Sequence, residues 1–206
     1  MPVFRKGDKS ILFAHVPKSG GSSVEQIFAN SGYTTSYRDA RGGRQTPNWL
    51  RRCSPQHMHA SLLAETFRLE RFTAIFMTVR EPIARFRSEY AMRNFRDLRT
   101  DGPAVARWAD IVFREYVTNP YHLDNHLRPQ SDFYLTGSRV YRLENGLSNC
   151  IEDLNSQFGL DLDTDIPQVF SRTAHSGLPS TDIQIPDELA MRIRAFYASD
   201  YAGFGY

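Results

Sequence analysis

The sequence contains few cysteines, little net charge and no long apolar segment. Its two cysteines, Cys53 and Cys150, are too few and too far apart for a disulfide framework, so we expect free thiols in a reducing compartment. The net charge of +2 at pH 7 argues against a general nucleic-acid-binding protein, which needs a strongly basic face. No apolar run reaches transmembrane length, and residues 1–10 are too polar for a signal peptide. We therefore expect a cytoplasmic protein with no membrane span and no nucleic-acid partner.

The chain also has no internal repeat and no low-complexity segment. Its 206 residues are 41% apolar, which is enough for one sizeable core, so we predict a single domain over residues 1–206. The charge is uneven, because five arginines crowd one stretch that has only Asp39 against them: Arg38, Arg41, Arg44, Arg51 and Arg52. This stretch either meets an anionic ligand or is a solvated basic loop.

Apolar runs alternate with amphipathic stretches along the chain. The runs at Ile11–Val16, Phe72–Val79 and Arg139–Leu143 predict strands. Helical spacing and capping signals predict helices after the first run with Ser22 or Ser23 as N-cap, at 62–70, from Pro82 onward, within 103–118, at 146–158 and at about 186–199. Strands that alternate with helices predict an α/β fold, in which helices cover both faces of a central, mostly parallel sheet. Ligands bind beyond the carboxyl ends of the strands in such sheets.

The segment "HVPKSGGSSVE", residues 15–25, brings glycine, serine and lysine together between a strand and a helix. Gly20 and Gly21 let backbone N–H groups approach an anion closely, and the helix N-terminus adds its positive dipole. A positive charge and hydroxyl donors come from Lys18, Ser19, Ser22 and Ser23. The pattern predicts an anion-binding loop. The alternative is a plain turn that requires glycine and has a surface lysine beside it.

The loop differs from that of nucleotide triphosphatases. Those proteins need G-x-x-x-x-G-K-[ST], whereas here the lysine precedes the glycines. The second strand leads into Arg80 and not into an acidic ligand for magnesium. These two absences argue against a metal-assisted triphosphate site and therefore against a nucleotide kinase.

Two motifs resemble those of the sulfotransferases that use 3′-phosphoadenosine 5′-phosphosulfate (PAPS). "PKSGGSS", Pro17–Ser23, resembles their 5′-phosphosulfate loop, and "VREPIARFRSEY", Val79–Tyr90, resembles their 3′-phosphate motif. The branch with heparan and chondroitin sulfotransferases and many short bacterial proteins is the most similar, since "HLRPQSDFYL", His126–Leu135, and "FYASDYAGFGY", Phe196–Tyr206, also resemble it. The resemblance implies a P-loop-like three-layer α/β fold, PAPS as sulfuryl donor, 3′-phosphoadenosine 5′-phosphate (PAP) as product, and no required metal.

The resemblance also assigns residues to the two ends of the donor. It implies that the first loop holds the 5′ end through Lys18, Ser19, Gly20, Gly21, Ser22 and Ser23. Arg80, at a strand end, and Ser88, eight residues later, then hold the 3′ phosphate. A late loop, "SRTAHSG", offers Arg172 and Thr173 for the same phosphate. The alternatives are a salt bridge from Arg80 to Glu81 or Glu89, and a plain surface loop at 171–177.

Sulfuryl transfer to a hydroxyl needs charge stabilisation on the leaving group and a general base. Lys18 suits the first task and a histidine the second. Six histidines compete: His15, His57, His59, His122, His126 and His175. "HMH" places His57 and His59 on one side of an extended segment, and it resembles the His-x-His of the uronyl 2-O-sulfotransferase branch, which implies His59 as base and His57 as its neighbour.

Other roles for these residues stay open. The histidine pair can be a packing pair, or part of a metal site that still lacks a third ligand. His126, His175 and Glu25 are the reserve bases. We therefore expect an O-sulfotransferase that moves the sulfuryl group by in-line displacement to a hydroxyl of a small-molecule or saccharide acceptor. The alternatives are a PAPS- or PAP-binding module without turnover and a kinase-like phosphoryl transferase. The sequence predicts no oligomeric state.

Overall fold

The computed structural model describes residues 2–39, 41, 45–165 and 178–206, and these form a five-stranded mixed sheet. The strands are β1 Val3–Lys6, β2 Lys9–Phe13, β3 Thr34–Ser36, β4 Ala74–Val79 and β5 Arg139–Arg142, in the spatial order β3-β1-β2-β4-β5. β2, β4 and β5 are parallel neighbours, whereas β1 runs antiparallel to β2 and β3. The mostly parallel centre places the carboxyl ends of β2 and β4 side by side.

Helices connect the strands and cover both faces of the sheet. They are α1 Gly21–Asn30, α2 Ala60–Thr66, α3 Pro82–Arg93, α4 Gly102–Thr118, α5 Leu147–Phe158, α6 Asp187–Phe196 and α7 Ala198–Phe204. None of the helices in the described ranges is both long enough and apolar enough to cross a lipid bilayer. Cys53 and Cys150 are buried free thiols.

The side chains of the central strands alternate between two apolar layers. Ile11 and Phe13 of β2 pack with α1 and α5 on one face, while Leu12 packs with α2 on the other. A third apolar cluster joins α3, α4 and α6 beside the sheet. Because both faces are buried, β4 is apolar at five of its six positions and β2 at its last three, which confirms the predicted three-layer α/β fold.

Several element boundaries differ from the predicted ones. β1 and β3 were not predicted, because four- and three-residue strands carry little periodicity. The predicted helix at 186–199 is two helices that divide at Tyr197. The prediction that a serine caps α1 was wrong, since Gly20 occupies the N-cap with φ 87° and no side chain caps the helix. A left-handed φ of this kind favours glycine over serine.

Candidate active site

The anion loop begins where β2 ends. The chain leaves the sheet after Phe13, passes through Pro17–Ser23 and enters α1 at Gly21. Lys18 and Gly20 both have left-handed backbones, with φ of 71° and 87°, so the loop turns sharply around Ser19. The first N–H groups of an α-helix have no partner within the helix. Here these are the N–H groups of Gly21 and Ser22, since Ser23 N–H already donates to Gly20 C=O at 3.0 Å. The loop thus offers backbone donors at a helix start.

Gly21 is required by the histidine beneath it. A Cβ atom built on Gly21 would lie 2.0 Å from His15 Nε2. His15 is buried, and its Nδ1 lies 3.1 Å from Glu25 Oε1. Burial lowers the pKa of His15, while the bond to Glu25 opposes that change. His15 therefore supports the loop from inside the protein. Only glycine at position 21 leaves enough space for its imidazole.

One cavity of about 570 Å³ brings the predicted motifs together. The anion loop lines it with Lys18, Gly20, Gly21, Ser22 and Ser23, and the β4–α3 motif lines it with Arg80 and Ser88. His57, Asp124 and His126 line the same cavity. Ser19 is fully buried behind the loop and is not among the lining residues. Arg172 and Thr173 lie outside the described residues, so their assignment stays a prediction.

The guanidinium of Arg80 has no hydrogen-bond or ion-pair partner among the residues that the structure describes. Burial lowers its pKa while nearby carboxylates oppose that change. Glu81 instead caps α3 by accepting from Ala84 N–H at 2.6 Å. Glu89 binds Arg93 Nε at 2.7 Å. Neither carboxylate forms the predicted alternative salt bridge, so a half-buried arginine faces the cavity with its donors uncommitted.

Lys18 also has no carboxylate partner among the described residues. Its Nζ lies 3.5 Å from Met92 Sδ, which is a weak acceptor. Ser88 lies one helical turn before Met92 on α3 and is almost fully buried at the cavity wall. Two cations, several hydroxyls and a helix start therefore surround the cavity, a combination suited to a ligand with more than one anionic group.

His57 is held by a carboxylate that the sequence analysis did not identify. Its Nδ1 lies 2.7 Å from Asp124 Oδ2, and Asp124 Oδ1 accepts from Ser54 N–H at 2.6 Å. Burial lowers the pKa of His57, and the bond to Asp124 opposes this. With the Nδ1 proton directed at Asp124, the tautomer leaves Nε2 as the proton acceptor. The imidazole is therefore neutral and can accept a proton at Nε2 on the cavity wall, although its lowered pKa makes it a weaker base than a free histidine.

Asp124 lies in an unusual turn. Leu123, Asp124 and Asn125 all have left-handed backbones, with φ of 54°, 59° and 64°. Such a conformation is unfavourable for residues other than glycine and persists when the surroundings enforce it. Here Asn125 Nδ2 donates to His57 C=O at 2.8 Å, and Arg93 donates to Leu123 C=O at 3.1 Å. The turn is thus fixed from both sides and presents Asp124 to His57.

His59 lies in different surroundings from His57. It is the N-cap residue of α2, its Nε2 lies 3.2 Å from Tyr121 Oη, and it is not among the residues that line the cavity. Arg52 and Arg128 lie over the Tyr121 ring at 5.8 and 5.1 Å. The segment "HMH" is only partly extended, because His57 ends a 3₁₀ turn, Met58 and His59 are extended, and α2 begins just after His59. The segment therefore lacks the two-residue period of a strand.

A second histidine–carboxylate pair faces the same cavity. His126 Nδ1 lies 2.6 Å from Glu89 Oε2, and the rings of His57 and His126 meet edge to face at 4.7 Å. Glu25, the reserve base, is instead buried among His15, Gln56 and Arg38, and it is not a lining residue. Each of the three clustered histidines therefore has its own carboxylate.

Ligand atoms of His57, Asp124 and His126 all lie within 4.8 Å of one another, close enough to hold a metal ion. Among the described residues, this group contains His57 but not His59, so it differs from the metal site considered for the histidine pair. Hydrogen bonds already satisfy His57 Nδ1 through Asp124 and His126 Nδ1 through Glu89, and Nε2 of each ring has no hydrogen bond to any residue in the described ranges. The expected absence of a required metal stays a prediction.

Sequence comparison adds a family to this geometry. Neither the curated proteins nor the solved structures give a match to the chain. The family model described as the sulfotransferase family matches residues 1–206. Since that match covers the whole chain, this protein belongs to the sulfotransferase family.

Proposed function

We propose that the protein is an O-sulfotransferase that uses PAPS as its sulfuryl donor. Membership of the family establishes sulfuryl transfer in general. The observation that carries the finer proposal is the shared cavity, in which the anion loop, Arg80 with Ser88, and His57 meet. PAPS has an anionic group at each end of an adenosine unit, and the cavity offers a separate cationic element for each group.

The residues of the chain fit the two ends of the donor. In this proposal the N–H groups of the loop, Lys18, Ser22 and Ser23 hold the 5′ phosphosulfate. The uncommitted guanidinium of Arg80 binds the 3′ phosphate as a planar fork, and Ser88 adds its hydroxyl. Arg172 and Thr173 remain candidates for that phosphate. The bound donor supplies an activated sulfuryl group, and its departure as PAP leaves negative charge that Lys18 stabilises.

We propose His57 as the general base in place of His59. His57 lines the cavity and has a carboxylate on Nδ1, whereas His59 contacts Tyr121 outside the lining. The acceptor hydroxyl gives its proton to His57 Nε2 as its oxygen attacks sulfur. Asp124 keeps the required tautomer and stabilises the imidazolium that forms. This arrangement needs no metal, although the same residues lie close enough to bind one.

The proposed acceptor is a hydroxyl of a carbohydrate, and it rests on the motif resemblance. The arginines of the basic stretch are partly committed, since Arg38 binds Glu25 and Arg41 binds Asp39. Arg44 lies outside the described residues. Because these ion pairs reduce the free positive charge of the surface, we expect it to bind a neutral sugar as readily as an acidic sugar.

Ligand-dependent thermal unfolding tests the donor assignment. A ligand that binds only the folded state raises its stability by mass action. We expect a large shift of Tm with PAP, a small one with ADP and little with ATP and magnesium. A larger shift with magnesium ATP would favour a phosphoryl transferase and contradict the proposal.

Transfer from sulfur-labelled PAPS to a panel of mono- and disaccharides tests turnover, with and without EDTA. Transfer that survives EDTA is expected. PAP binding without transfer to any offered alcohol would favour a binding module, and loss of transfer in EDTA would show that the proposed metal-free arrangement is wrong.

A further inference from the structure

The buried side chain of Gln130 links the two anion-binding elements. Arg85 of α3 adds a second link, since its Nε donates to Pro17 C=O at 3.0 Å. Gln130 begins a 3₁₀ turn, Gln130–Phe133, between α4 and β5, and it is fully buried. Its Oε1 accepts from Ser19 Oγ–H at 3.2 Å and from Arg80 N–H at 2.9 Å, while its Nε2 donates to Arg80 C=O at 2.8 Å. Only this orientation of the amide matches two donors to oxygen and an acceptor to nitrogen, so the network fixes the side chain.

Gln130 is itself held from the other side by the C-terminal part of the chain. Asp200, in α7, is fully buried, and its two oxygens accept from Gln130 N–H and Ser131 N–H, each at 2.9 Å. Asp200 thereby fixes the start of the 3₁₀ turn, as a carboxylate does at a helix N-terminus. The amide of Gln130 is therefore presented from a rigid support and not from a mobile loop.

The position of these bonds points to a role in binding geometry. Gln130 holds the backbone of Arg80 through both its N–H and its C=O, while the guanidinium of Arg80 stays uncommitted at the cavity wall. It holds the anion loop through Ser19, whose hydroxyl points away from the cavity. The same amide is thus bonded to the anion loop and to the backbone from which the Arg80 side chain extends.

We propose that Gln130 is a positioning residue that fixes the spacing between the 5′ and 3′ anion-binding elements, so that PAP is preferred over nucleotides without a 3′ phosphate. This inference rests on the proposed function. Gln130 touches no reacting atom, and it acts through Arg80 and Ser19. Removal of its amide leaves the Arg80 backbone groups unpaired in a buried place and frees them to shift. The contribution of the 3′ phosphate to binding then falls, because a displaced guanidinium no longer has the geometry for two hydrogen bonds to that phosphate.

The ratio of the Kd for ADP to the Kd for PAP tests this role in the full-length protein. In Gln130→Met, which keeps the side-chain length without the polar atoms, we expect the ratio to fall about tenfold. A general loss of folded protein weakens the binding of both nucleotides equally and leaves the ratio of their Kd values unchanged. The matched control is Ser131→Ala, the next residue of the same turn, whose hydroxyl donates to Ser199 Oγ at 2.8 Å and has no bond to Ser19 or Arg80. Its ratio should equal that of the wild type.

Ser19→Ala provides a second test that does not depend on the folding of Gln130→Met. Ser19 Oγ is buried and bonds to Gln130, so its loss should weaken PAP binding about three- to tenfold without removal of any ligand contact. A wild-type ratio in folded Gln130→Met, or an unchanged PAP affinity in Ser19→Ala, overturns the inference while PAP binding by the wild type stands. No preference for PAP in the wild type overturns the proposed function as well.

Discussion

Substitution of Gly21 by alanine tests whether the anion loop depends on contact with His15. The added Cβ would lie 2.0 Å from His15 Nε2, whereas real Cβ atoms essentially never approach closer than 3.0 Å. The loop or the imidazole must therefore move by about 1 Å. His15 resists that movement, because it is buried and bound to Glu25. We expect the loop to give way, since its outer side faces the cavity.

The magnitude follows from two opposing contributions. Overpacking of a well-packed site costs about 1–3 kcal/mol. Alanine in place of glycine within a helix returns up to about 1 kcal/mol. The net loss in the free energy of unfolding should be about 1–2 kcal/mol. The loss in function should be larger, because a displacement of about 1 Å at a binding loop can lower kcat/KM about 100-fold.

The assay combines urea denaturation, PAP titration and sulfuryl transfer. Gly203→Ala is the matched control, because Gly203 is also helical, in α7, and a Cβ there meets nothing within 4 Å. That variant should be as stable as the wild type or slightly more stable, with full activity. In a His15→Ala background, Gly21→Ala should lose its penalty. If Gly21→Ala instead behaves like Gly203→Ala, the supporting role of His15 is wrong.

The remaining predictions concern the donor and the base. Arg80→Ala should weaken PAP binding at least tenfold and leave ADP binding nearly unchanged by titration calorimetry, because only PAP has the 3′ phosphate; equal losses would contradict the assignment. His57→Gln should lower kcat about 10²- to 10⁴-fold with PAP affinity retained, whereas His59→Gln should keep most of kcat; the reverse order would restore His59 as base. Asp124→Asn should lower kcat by at least tenfold in the same transfer assay, since an amide no longer selects the Nδ1–H tautomer, and a wild-type rate would exclude the dyad.

The parts of the site that follow directly from the sequence are those written within a short segment. A strand, a glycine turn and a helix follow one another at Pro17–Ser23, and Arg80 stands between a strand and a helix-starting proline. Local propensity fixes both arrangements, and parallel pairing of β2 with β4 then brings them to one edge. For this reason the anion loop and Arg80 were placed together correctly from the sequence alone.

The partners of these residues were not visible, because they come from distant parts of the chain. Asp124 is 67 residues from His57, and Gln130 is 111 residues from Ser19. No local pattern marks a carboxylate or an amide for such a contact. The choice of His59 over His57 stays a prediction; it assumed one continuous extended segment, whereas His57 ends a 3₁₀ turn and α2 begins just after His59. The spacing of two residues shows whether their side chains share a face only when the local secondary structure is known.

The left-handed turn at Leu123–Asn125 has a consequence for how this protein can change. Each of its three residues has a positive φ, which glycine adopts with less backbone strain because it has no Cβ. Relief of this backbone strain alone would favour glycine at position 124, but the carboxylate that holds His57 and accepts from Ser54 N–H would be lost with it. Selection for turnover would retain the aspartate and accept a less stable turn. The turn is thus a place where evolutionary pressures for robustness and for catalysis oppose each other, and stabilising mutations should be sought elsewhere in the chain.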